Sequence, residues 1–165
     1  MADKAYNNTN LLVNSTDFSV SGVIELKRDT SDIYGRNGSM VLALKKNGVS
    51  GFTYMFTLCR GAGGTLLLFI KTDLGYSKTV NVSGFNINVV NRYALSYKIG
   101  IGLTISLNGV NTVFADATLP SLYLDFIDTN AYDGTPSECE ISNMVVYDTA
   151  LSDAELLALT TIWNT

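Results

Sequence analysis

Short runs of alternating character recur from Phe18 to Tyr147, and this period of two constrains the fold more than any other feature of the chain. Successive side chains on a strand point to opposite faces, so polar–apolar alternation marks a strand with one buried face. Over residues 52–58, Phe52, Tyr54, Phe56 and Leu58 point one way while Thr53 and Thr57 point the other. The runs Leu103-Thr-Ile-Ser-Leu-Asn108 and Phe18-Ser-Val20 repeat the pattern. Ile141-Ser-Asn-Met-Val-Val-Tyr147 is strand-like but apolar on both faces near its end, which predicts a place deep inside a sandwich. Turn signals separate these runs: Asn37-Gly38, Asn47-Gly48, Gly61-Ala-Gly-Gly64, Gly100-Ile-Gly102 and Asn108-Gly109. Asn-Gly tolerates the positive φ of tight hairpins, and short strands at this spacing predict an antiparallel sandwich or barrel.

One helix is predicted, as the last element. Ser152 followed by Glu155 is a capping box, and Leu151 with Leu156 occupies the positions of a hydrophobic staple. Leu156, Leu159 and Trp163 then follow at helical spacing and predict one stripe docked on the sheet. A chain of 165 residues fits one domain spanning 1–165, with a short N-terminal segment 1–16 and a closing helix 152–163.

Composition narrows the chemistry. With 47% hydrophobic and 16% charged residues the chain has ample material for a core, and disorder is excluded. Only Lys27-Arg28 and Lys45-Lys46 are adjacent basic pairs, too little for nucleic-acid binding through phosphates. Histidine is absent, which removes Ser-His-Asp and Cys-His catalysis and His-containing zinc sites. Cys59 and Cys139 could form one disulfide or stay reduced among apolar neighbours, the usual state in a protein made in the cytosol. The N-terminus has no apolar signal region, so synthesis in the cytosol without a signal peptide is expected. The longest apolar run, Leu66-Leu-Leu-Phe-Ile70, is far short of a spanning helix, and membrane insertion is not expected.

The tail Glu140-Ile-Ser-Asn-Met-Val-Val-Tyr-Asp-Thr-Ala-Leu-Ser-Asp-Ala-Glu-Leu156 resembles the closing segment of laminin G-like, concanavalin A-like lectin/glucanase domains. Asn91-Arg-Tyr-Ala-Leu-Ser-Tyr97 is similar to an internal strand of that superfamily, with Tyr93 where Trp is usual. Leu103-Thr-Ile-Ser-Leu-Asn-Gly-Val110 and Phe18-Ser-Val-Ser-Gly-Val-Ile24 resemble its next strand and its opening strand. The resemblance implies an all-β, two-sheet antiparallel jelly roll with one short C-terminal helix.

Glucanases of the superfamily carry a Glu-x-Asp-x-Glu strand motif whose carboxylates do the chemistry, and it is absent here. Glu138 and Glu140 stand about 7 Å apart on one strand face, but the next same-face residues, Ser142 and Met144, are not acids. Asp125 and Asp128 form no better pair, so no enzyme activity is expected. Gly61–Gly64 precedes a strand-like run rather than a helix, and is read as a hairpin loop instead of a phosphate cradle. The loop Asp128-Thr-Asn-Ala-Tyr-Asp-Gly134 is the candidate site. Tyr132 offers a ring on which a sugar could stack, with Asn130 and Asp133 as hydrogen-bonding partners. Asp128 and Asp133 are the candidate ligands for Ca²⁺, against the alternative of a plain surface turn.

Relatives of such a fold usually work outside cells, whereas no export signal is expected here. Release by lysis reconciles the two, and the low charge content suits a surface covered in an assembly. The expected function is therefore a non-enzymatic structural or adhesive component of a bacteriophage virion, as head decoration, fibre or tail. Its expected partners are other virion proteins or copies of itself, with host glycans as ligand and the virion surface as location. The alternatives are a stand-alone carbohydrate-binding lectin of a cellular protein and, less favoured, a glycoside hydrolase.

Overall fold

The computed structural model describes residues 13–15, 17–26, 39–45, 55–60, 65–72, 75–86, 89–124, 126–128 and 139–161. The strands are β1 (Val13–Ser15), β2 (Asp17–Leu26), β3 (Ser39–Lys45), β4 (Met55–Arg60), β5 (Leu66–Lys71) and β6 (Ser77–Val82). They continue with β7 (Val90–Lys98), β8 (Gly102–Leu107), β9 (Val110–Ala115), β10 (Leu122–Leu124), β11 (Phe126–Asp128) and β12 (Cys139–Tyr147), and helix α1 (Asp153–Thr160) closes the chain. One five-stranded sheet has the order β11-β3-β4-β5-β6, a second has the order β12-β2-β7-β8-β9, and β1 pairs with β10. Every recorded pairing is antiparallel. The fold is the two-sheet antiparallel jelly roll that the resemblance implied, one of the two architectures that the alternation left open, with one short helix among the described residues.

The core lies between the sheets. Phe18, Val20 and Ile24 of β2, Tyr93, Leu95 and Tyr97 of β7, and Leu103, Ile105 and Leu107 of β8 face Leu68, Ile70, Val80 and Val82 across the sandwich. Alternate positions supply all of these residues, as a period of two requires. Phe18 and Tyr97 stack with ring centroids 5.0 Å apart, and the Tyr97 hydroxyl donates to the carbonyl of Pro120. Asn108 and Gly109 close the β8–β9 hairpin with φ of 50° and 81°, the two-residue turn that the Asn-Gly dipeptide predicts.

The structure revises four expectations. Residues 13–15, in the short N-terminal segment ahead of the first expected strand at Phe18, form β1 against β10, a ladder too short to show periodicity in sequence. Strand β12 lies at a sheet edge, not deep inside the sandwich, and Val145 is 45% exposed. Its apolar character on both faces comes from a bulge. Ser142 pairs with Val23 and Val145 with Ser21, so β12 spends one residue more than β2, and Asn143 takes φ of 51°. Beyond the bulge Val146 opposes Val20 and packs against the core.

The helix runs Asp153–Thr160 rather than 152–163, with Ser152 as its cap and Thr161 already extended. Its docking residues are Leu156 and Thr160, both fully buried, whereas Leu159 is 39% exposed. The stripe follows Thr160 because its hydroxyl meets Ser106 Oγ at 2.5 Å under the helix. Trp163 lies outside the described residues. Fourth, the outer positions of β8 do not face solvent: all six of its residues are buried, because α1 and the segment before it cover that face.

Candidate functional site

The candidate loop is only partly described. Asp128 ends β11, an edge strand, in register with Ala43 of β3, while Asn130, Tyr132 and Asp133 lie outside the described residues, as does Glu138. Glu140 pairs with Glu25 across β12 and β2. Cys59 and Cys139 belong to strands of different sheets. Gly61–Gly64 also falls outside the described residues; Arg60 and Leu66, on either side of it, pair antiparallel. Among the described residues no three Cys, Asp or Glu side chains come together as a metal-binding group. Among them, too, no helix is long and apolar enough to cross a membrane.

Two polar arrangements stand out in the described part. The first is structural. Asp116, just past β9, accepts at one oxygen from Thr118 Oγ1 and N at 2.6 and 2.8 Å, and at the other from the Tyr76 hydroxyl at 2.9 Å. Lys78 Nζ stands 3.7 Å from that second oxygen. The Thr118 hydroxyl, then the Thr118 amide, Tyr76 and Lys78 hold the Asp116 carboxyl down at about 2. Burial, reinforced by the Asp116 carboxylate, raises the Tyr76 phenol well above its ordinary value. Both carboxylate oxygens are engaged, so the cluster ties the edge strands β6 and β9 of opposite sheets together.

The second is a groove of about 440 Å³ on the outer face of the β12-β2-β7-β8-β9 sheet, within the size range of small-ligand clefts. Two rungs make its floor: Ser96, Thr104 and Val113 lie side by side, and Lys98, Gly102 and Ala115 lie beside them. Residues 150–153 and Glu155 line it from the helix side, and Ile101 lines it from the β7–β8 turn. The chain passes here because the Leu151 amide donates to Ser19 Oγ at 2.8 Å, and Ser19 continues the Ser96–Thr104 rung onto β2. The capping box then starts α1. Ser152 N and Oγ donate to Glu155 Oε2 at 2.7 and 2.6 Å, and these bonds lower the Glu155 carboxyl below its ordinary value.

Hydroxyls of this rung have different fates. Ser19 receives the Leu151 amide and Ser106, one rung away, meets Thr160. Ser96 and Thr104, 7% and 9% exposed, line the groove and make no side-chain hydrogen bond among the described residues. In the sequence Thr104 reads only as the polar face of its strand. The signal available was residue type: Ser19, Ser96, Thr104 and Ser106 are small hydroxyl residues where a solvent-facing strand would carry long charges.

No protein-family model matches the chain, and no curated protein matches it in sequence. Solved structures do match its fold. A carbohydrate-binding module, the CBM40 of a Ruminococcus gnavus IT-sialidase bound to α2,3-sialyllactose, superposes with a TM-score of 0.68 and 16% identity, over 98% of this chain and 95% of that one. A heptameric SAP-like pentraxin from Limulus polyphemus gives 0.63 and 12% identity, over 86% and 68% of the two chains. The binding domain of botulinum neurotoxin serotype G gives 0.62 and 18% identity over 87% of this chain, which spans 36% of that domain. These are jelly-roll, lectin-like domains, and the likeness shows the shared fold.

Proposed function

We propose that the protein is a non-catalytic glycan-binding module. The observation that carries the reading is the correspondence with a carbohydrate-binding module over almost the whole of both chains, in a complex that holds a sialyllactose. The absence of the Glu-x-Asp-x-Glu motif from the sequence supports a binding rather than a hydrolytic role. Within that reading we assign the module to adhesion from a bacteriophage particle, with host-surface glycans as its ligand; the 16% charge content supports a surface partly covered in an assembly.

A glycan array probed with the folded protein, in calcium and again in EDTA, tests the reading. Reproducible binding to one glycan class, carried over to bacterial cells displaying that glycan, is expected. Loss in EDTA would assign the contact to the Asp128–Asp133 loop and its Ca²⁺ ligands. Silence in both buffers overturns glycan binding and leaves a structural role.

A further inference from the structure

We infer that the groove between α1 and the outer face of its sheet is a binding site for a neutral, hydroxyl-rich sugar unit. The inference rests on the glycan-binding reading above and gives it a location.

Three observations carry it. First, Ser96 and Thr104 are more than nine-tenths buried, line the groove and lack a hydrogen-bond partner among the described residues. Each hydroxyl supplies one donor and two acceptor positions, so the pair can both give to and accept from vicinal hydroxyls of a pyranose. Their register places them directly opposite each other on β7 and β8, which sets their Cβ atoms about 5 Å apart.

Second, the flanks suit the rest of a sugar ring. Val113 and Ile101, 64% and 58% exposed, offer an apolar surface to ring C–H groups beside the polar floor. Gly102 carries no side chain next to Lys98, which keeps that rung of the floor low.

Third, charge selects against an anion. Among the described residues lining the groove Lys98 is the one cation, against Asp153 and Glu155, and Asp17 stands opposite Lys98 in register on β2. A carboxylated or phosphorylated ligand would meet more negative than positive charge, whereas a neutral hexose would not.

The test is a ¹H–¹⁵N titration of the full chain with methyl α-mannoside, methyl β-galactoside and methyl β-N-acetylglucosaminide, with α2,3-sialyllactose as the anionic comparison. At least one neutral glycoside should shift the amides of Ser96, Gly102, Thr104 and Val113 together. Ser96→Ala and Thr104→Val, which keep shape and remove one hydroxyl each, should weaken that binding by roughly tenfold apiece. Val113→Trp, at an exposed position, should abolish it by filling the groove. Unchanged amide dispersion and thermal midpoint in each variant will show that folding is intact. Array-positive protein whose binding survives all three substitutions overturns the groove and leaves glycan binding standing. A silent array overturns the glycan reading itself. Preference for the anionic sugar, lost in Thr104→Val, refutes the assigned ligand class, and an absence of shifts at these amides means the groove holds solvent only.

Discussion

The β7–β8 hairpin offers a controlled comparison between two glycines. Gly100 and Gly102 have φ of 65° and 145°, both in the region L side chains rarely adopt. Their surroundings differ. A Cβ on Gly100 would have Ala117 O as its nearest neighbour at 3.8 Å, whereas a Cβ on Gly102 would stand 2.2 Å from Phe114 O and 3.0 Å from Ala115 Cα, both backbone atoms of β9. Gly100→Ala therefore carries only the left-handed conformational cost, about 1–2 kcal/mol. Gly102→Ala adds displacement of a paired strand to its backbone strain, about 3–5 kcal/mol in all. For a chain of this size 1 kcal/mol moves Tm by about 2–4 °C, so falls of about 2–8 °C and about 6–20 °C are expected. Urea denaturation followed by circular dichroism gives the same difference as a shift in midpoint at constant slope. If the two variants fall within about 1 kcal/mol of each other, β9 yields without cost and the steric argument is wrong; the reference scale is the total stability of about 5–15 kcal/mol for a domain.

Three further outcomes are expected. Thr160→Val removes the acceptor of the Gly109 amide and the partner of Ser106 Oγ, and should cost about 1–3 kcal/mol. With Ser106→Ala the double variant should lose less than the sum of the singles, and strict additivity in denaturant melts would dissolve the proposed pair. Asp116 is lower in the folded protein, about 2, than its ordinary 3.8, so it stabilises the fold above pH 3.8 and that contribution is lost as the pH falls toward 2. Asp116→Asn should flatten the fall in melting temperature over that window; parallel pH curves for the two proteins would contradict the assigned bonds. Ser152→Ala should destabilise by about 1 kcal/mol and let the Glu155 carboxyl rise toward its ordinary value, both readable by denaturation and by NMR titration.

The fold was legible wherever a rule acts locally. The strands that alternation marks at β2 and β8, the Asn108-Gly109 turn and the Ser152–Glu155 box each depend on residues a few positions apart, and each is present in the structure. Long-range facts were not legible. The β12 bulge looks like apolar residues on two faces until its register with β2 is known. Thr104 alternates with Leu103 and Ile105 as a polar position should, and nothing near it says that a helix about fifty residues on will cover it. Alternation tells which side chains share a face; it is silent on what lies over that face. The candidate loop at 128–134 rests on local composition for the same reason.

The outer face of the sheet argues for a role beyond packing. A buried hydroxyl without a partner costs free energy, and an alanine or valine would fill the same space at less expense. Ser19 and Ser106 offset that cost by holding the Leu151 amide and Thr160, which ties the closing segment to the sheet. Ser96 and Thr104 lie on the same face, less completely covered at 7% and 9% exposed against 0% for Ser19 and Ser106, and hold nothing in the described structure. The closing segment thus roofs the groove without quenching it. A roof fixed on either side leaves the two free hydroxyls preorganised, so a ligand that meets them has little ordering left to do.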